Sequence, residues 1–126
     1  MNIKILLVED DPINRDVINW YLRNLFDVSV AENGSEALKL AASNQFDLIL
    51  MDINLGKGIN GIETAKLIKE DDRYKDVPVV ALTAYAMKGD KEHFLSSGFT
   101  DYLSKPFLKE ELIYLIGTLF NEEKYS

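Results

Sequence analysis

The chain has 126 residues, 47% of them apolar and 28% charged, which suits one compact domain with its own core and leaves no room for a second. A formal charge of -7 speaks against a nucleic-acid partner, because phosphate-backbone binding rests on clustered Lys and Arg releasing counterions. No apolar run approaches the ~20 residues of a membrane helix, the opening residues pass from a short apolar run at Ile5–Val8 into acids, unlike a signal peptide, and cysteine is absent, which excludes disulfides, thiol nucleophiles and thiolate metal sites. A soluble, cytoplasmic protein without a membrane partner is expected.

Apolar runs alternate with amphipathic stretches. Ile3–Val8 reads as a buried strand, followed by a helix striped by Ile13, Val17, Trp20, Tyr21 and Leu25. Asp27–Ala31 is a short strand, Gly34 a break, and Ser35, Ala37, Leu38, Ala41 and Ala42 mark a helix ending near Asn44. Asp47–Met51 is a third strand. A loop containing Gly56, Gly58 and Gly61 then leads into a helix carrying Ile62, Ala65 and Ile68, and Glu70-Asp71-Asp72 reads as its solvated end. Val77–Leu82 is the fourth strand and Met87–Ser97 a weaker helix closed by Gly98. Thr100–Leu103 is the fifth strand, and Leu108, Leu112, Leu115, Ile116 and Leu119 stripe a final helix. Five strands and five helices in βα alternation, with strands apolar on both faces, predict a doubly wound α/β fold: a parallel sheet covered on each side. In such sheets the chemistry sits beyond the carboxyl ends of the strands.

Polar residues lie at those ends. The first strand runs into Glu9, Asp10 and Asp11, and the third into Asp52. If the strands are neighbours these carboxylates repel, since two like charges ~4 Å apart cost roughly 4 kcal/mol at an effective dielectric of 20. A hard divalent cation would compensate, and magnesium prefers such a partial set of oxygen ligands to a complete protein cage. A solvated acidic loop is the plainer reading of the acids after the first strand. The fourth strand ends in Thr83-Ala84 and the fifth is followed by Lys105-Pro106, a hydroxyl and an ammonium that could neutralise a transferred phosphoryl group. Singly, Thr83 could be a helix cap and Lys105 a surface spacer. At consecutive strand ends the two point together to phosphoryl chemistry, with Asp52 as the nucleophile.

Four segments carry a family resemblance: Leu6-Leu7-Val8-Glu9-Asp10-Asp11, Leu50-Met51-Asp52-Ile53-Asn54, Ala81-Leu82-Thr83-Ala84 and Tyr102-Leu103-Ser104-Lys105-Pro106-Phe107. Together they resemble the motifs of response-regulator receiver domains over nearly the whole chain. The resemblance implies a flavodoxin-like sheet in the order 2-1-3-4-5 and a two-component switch rather than an enzyme with a turnover substrate. It implies Asp52 as phosphoacceptor, with Thr83 and Lys105 completing the catalytic set. Magnesium or manganese would be held by Glu9, Asp10, Asp52 and the backbone carbonyl of Asn54. Thr83, Ala84 and Tyr102 would form the switch. The donor would be a histidine kinase or histidine phosphotransfer protein, and output would pass to a downstream protein target. The family usually has proline four residues after the acceptor and glycine eight after it; this chain has Gly56 and then Gly61, a loop one residue longer. The segment Thr83-Ala84-Tyr85-Ala86-Met87 is also similar to receivers of hybrid kinases, so a receiver excised from such a kinase is an alternative.

His93 reads as an exposed helix residue without a second ligand. Trp20 with Tyr21, and Phe94 with Phe99, read as core or partial core. Among rival functions, a haloacid-dehalogenase-type phosphatase lacks its second aspartate, Asn54 standing there. A flavodoxin-like cofactor module would need glycines where Glu9-Asp10-Asp11-Pro12 stands. A receiver working without phosphorylation is disfavoured by the full set of site residues.

Overall fold

A computed structural model describes residues 2–56, 58–84 and 90–120. The strands are β1 (Lys4–Val8), β2 (Asp27–Ala31), β3 (Leu48–Asp52), β4 (Val79–Thr83) and β5 (Asp101–Ser104). The helices are α1 (Pro12–Leu22), α2 (Gly34–Ser43), α3 (Gly61–Lys69), α4 (Asp90–Ser96) and α5 (Lys109–Phe120), with a 3-10 turn at Asp72–Tyr74. All strand pairs are parallel, in the order β2-β1-β3-β4-β5. Among the described residues no helix is long and apolar enough to cross a membrane.

The order follows from the burial pattern. β3 and β4 are buried at every position, whereas the flanking β2 and β5 are only half-buried. A strand covered on both faces must occupy the middle of the sheet. Alternate side chains then feed two separate cores. One face packs Leu6, Val8, Ile49 and Met51 against Ala37, Ala41, Ala65 and Ile68 of α2 and α3, with Phe94 of α4. The other packs Ile5, Leu7, Leu50 and Leu82 against Ile18 and Leu22 of α1 and Leu112 and Ile116 of α5.

Helix starts are chemically encoded. Asp11, Asn33 and Asn60 cap α1, α2 and α3 with side-chain oxygens that accept otherwise unpaired N–H groups, and Asn60 forms a reciprocal capping box with Glu63. Gly34, expected as a break, is the first residue of α2. It belongs inside because a Cβ there would lie 2.4 Å from the Thr64 hydroxyl oxygen and 2.5 Å from Ile59. The acids expected as a solvated helix end also act locally, since the Asp71 carboxylate caps the 3-10 turn by accepting from the Arg73 N–H.

The face of α1 is the main correction. Helical spacing predicts Ile13, Val17 and Trp20 in the core, yet they are exposed, Trp20 at 62%, and so is Leu25 beyond the helix end. The helix carries two apolar stripes, and the sheet takes the one through Ile18 and Leu22, with Tyr21 half-buried beside it. Phe94 and Phe99 are core residues, as expected. Leu108 precedes α5 and is exposed. The expected start of the fourth helix at Met87, and residues 85–87 of the hybrid-kinase-like segment, lie outside the described residues.

Candidate functional site

The carboxyl ends of β1, β3, β4 and β5 bring the chemistry-bearing residues to one edge. Glu9 follows β1 directly, and its backbone N–H is tied to the Ala31 carbonyl at 3.0 Å, so its side chain is drawn under the edge and is 0% exposed. Asp10 is exposed beside it. Asp52 ends β3 and is 5% exposed. Glu9, Asp10 and Asp52 each offer a carboxylate oxygen within 4.8 Å of the others. Asp11 does not join them: its carboxylate accepts from the Ile13 N–H at 2.9 Å and caps α1.

Opposite the acids stands Lys105, its backbone N–H bound to the Thr83 carbonyl at 2.8 Å and its peptide to Pro106 cis. The Lys105 Nζ lies 2.5 Å from Glu9 Oε1 and 3.5 Å from Asp52 Oδ1, so its stronger partner here is Glu9. The Asn54 N–H donates to Asp52 Oδ1 at 3.1 Å. Thr83 is buried at the end of β4, one residue beyond Leu82, the register partner of Asp52. Ala84 is exposed and lines a cleft with Asn14, Val17, Tyr21, Lys105 and Phe107. Tyr102 sits opposite Ala81 on β5, half-buried, its ring 6.0 Å from that of Phe94. His93 is exposed on α4, its ring 6.1 Å from that of Phe94.

Three acids against one ammonium leave excess negative charge at a largely buried place. The Asp52 carboxyl is pushed up to about 7, first by burial and then by its hydrogen bond with, and repulsion from, Glu9; Lys105 and the Asn54 N–H pull the other way without prevailing. Such a cluster of hard oxygen donors, open on the Asp10 side, suits a small divalent cation that keeps some of its water.

Three positioning contacts escaped the sequence reading. Arg15 Nη1 donates to the carbonyls of Glu9 at 3.1 Å and Asp10 at 3.5 Å, while Nη2 lies 3.5 Å from Glu32, so α1 and the end of β2 brace the acidic loop. The Gly56 N–H donates to Asp10 Oδ2 at 2.9 Å. Gly61 is needed because a Cβ there would stand 2.1 Å from the Asp52 carbonyl oxygen. The longer loop thus still brings a glycine against the backbone of Asp52, turning back through Gly58 at a φ of 77°. Arg15 lies four residues after Asp11, one helical turn on, but neither that spacing nor anything local to the glycines signals these contacts.

Residues 5–117 match the family model for the response regulator receiver domain. The polar-differentiation response regulator DivK of Brucella anthropi is 42% identical over 123 residues, covering 94% of this chain and 96% of that protein. The receiver domain of a sensor histidine kinase from Pseudomonas aeruginosa, with a magnesium ion coordinated in its active-site cleft, is 36% identical with a TM-score of 0.87, covering 97% of this chain and 100% of that one. A receiver domain of the response regulator Ssk1, solved with the Saccharomyces cerevisiae histidine phosphotransfer protein Ypd1, is 34% identical with a TM-score of 0.83, covering 92% of this chain and 87% of that one. Four strand ends converging on one edge, and sequence relatives along almost the full length, have a single common source: the chain belongs to the response-regulator receiver-domain family of two-component signalling.

Proposed function

We propose that the protein is a phosphorylation-driven switch whose acceptor is Asp52. The observation that carries this reading is the meeting of Asp52 with Glu9 and Asp10 on one side and Lys105 on the other. Glu9, Asp10, Asp52 and the carbonyl of Asn54 would hold magnesium or manganese, and such an ion would neutralise the cluster, keep Asp52 ionised and polarise phosphoryl oxygens. An Asp52 oxygen forms the new bond to phosphorus as the bond to the donor's histidine nitrogen breaks. Asn54 orients that carboxylate through its N–H. Lys105 exchanges part of its pairing with Glu9 for a phosphoryl oxygen, and the Thr83 hydroxyl donates to another. Drawing Thr83 and Ala84 inward changes the space beside Tyr102, the half-buried ring of β5.

A histidine kinase or histidine phosphotransfer protein is the proposed donor, supported by the relative solved with Ypd1, and a downstream protein is the proposed target. Acetyl phosphate with magnesium should add one phosphoryl group to the wild-type protein by intact mass and none to Asp52→Asn. Labelling that persists without divalent ions, or in the variant, would refute the assignment. The switch step is tested separately: a phosphoryl mimic with magnesium must shift the amide signals around Tyr102.

A further inference from the structure

We infer that Gly56 is a positioning residue for the metal ligand Asp10, its backbone N–H holding the carboxylate toward Glu9 and Asp52; the inference rests on the metal-site reading proposed above. The Gly56 N–H donates to Asp10 Oδ2 at 2.9 Å across a separation of 46 residues, and joins the loop after β3 to the loop after β1. Asp10 is exposed, so without a partner its side chain would be free to rotate into solvent. A carboxylate has about four lone-pair sites, so one N–H can orient it and leave sites for a cation. Outer partners of this kind fix the direction of a ligand and strengthen binding.

The glycine itself fits this role. Gly58 and Gly98 are the glycines at positive φ, so Gly56 is not there for left-handed backbone. What a side chain would meet is the acceptor: a Cβ at Gly56 would stand 3.0 Å from Asp10 Oδ2, its nearest neighbour. The residue thus combines an available donor with room for the carboxylate it holds. Proline, the residue the family usually carries here, has no N–H to offer.

The test measures magnesium affinity by calorimetry, and the magnesium dependence of labelling by acetyl phosphate, in the full chain. Gly56→Pro, which removes the donor, should weaken magnesium binding about tenfold, at the low end for an outer-shell partner. Its labelling rate at saturating magnesium should match that of the wild type. Gly58→Asn, which tolerates the left-handed conformation and lies away from Asp10, should bind as the wild type does. Asp10→Ala serves as reference. If Asp10→Ala weakens binding and Gly56→Pro does not, the inference is overturned while the metal site stands. If Gly58→Asn weakens binding as much as Gly56→Pro, the cause is the loop and not the hydrogen bond, which also overturns it. If Asp10→Ala binds normally, the metal-site reading itself fails. A measurement that needs no change at Gly56 accompanies these: its amide proton should be protected from exchange in the wild type and lose that protection in Asp10→Ala, and unchanged protection would overturn the inference.

Discussion

Replacing Asp52 with asparagine should stabilise the cation-free protein, and by an amount that depends on pH. Burial and Glu9 push the Asp52 carboxyl from 3.8 to about 7, so the folded protein holds a proton there that the unfolded chain releases. Between those values the native state binds more protons than the unfolded state, and stability falls as pH rises through the window. Each tenfold change in proton affinity is worth about 1.4 kcal/mol, which sets a ceiling of about 4 kcal/mol on the cost of ionising Asp52 in place. Water reaching the open Asp10 side screens the charge and brings the expected effect to about 2 kcal/mol. Asparagine removes the charge, keeps an oxygen for the Asn54 N–H, and offers an amide hydrogen to Glu9. Urea unfolding with chelator present should therefore show little difference near about pH 4 and the full gain above about pH 7. Millimolar magnesium should reverse the order by stabilising the wild type alone. A pH-independent difference, or a variant less stable at alkaline pH, would refute the view that Asp52 bears uncompensated charge.

Lys105→Met leaves the fully buried Glu9 without its cation and should cost about 3 kcal/mol above neutral pH by urea unfolding, with a smaller loss where the Asp52 proton can be shared. Gly61→Ala places a methyl 2.1 Å from the Asp52 carbonyl oxygen, so the start of α3 must move; a loss of about 2 kcal/mol or more in unfolding, together with slowed acetyl phosphate labelling, is expected.

The order of elements was legible because β1, β3 and β4 are apolar on both faces and end in polar residues, a pattern a parallel sheet requires. The same logic made Glu9, Asp10, Asp52, Thr83 and Lys105 readable as neighbours. What escaped depends on a choice or on distance. In α1, the stripes through Ile13, Val17 and Trp20 and through Ile18 and Leu22 are both apolar, and helical spacing alone does not choose between them; the structure buries the second. Asp11 stands directly after the site acids in the sequence, and its capping of α1 through the Ile13 N–H becomes visible only in the structure. Arg15 and Gly56 act on backbone carbonyls and through a backbone N–H, groups every residue carries, so no residue type announces them. Gly61 acts by lacking a side chain, which becomes informative only when the Asp52 carbonyl is seen against it.

The placement of Lys105 gives the charge balance of the proposed switch an order. In the cation-free protein the ammonium is committed chiefly to Glu9, at 2.5 Å, and only reaches toward Asp52, at 3.5 Å. Above about pH 7, where Asp52 too has given up its proton, three acids and one lysine carry two net negative charges, so an incoming phosphoryl dianion meets repulsion at the atom it must approach. A divalent ion held by the cluster would bring that balance to zero and give Glu9 a second source of compensation. The lysine would then be able to turn from Glu9 to the phosphoryl group without leaving a buried carboxylate unpaired. On this reasoning cation binding must precede lysine transfer. Lys105→Met should consequently keep its magnesium affinity within about threefold of wild type while its labelling rate falls about a hundredfold, within the range lost when one charge-stabilising donor is removed. Equal losses in both would mean that Lys105 helps to build the cation site, and the sequence of events would have to be redrawn.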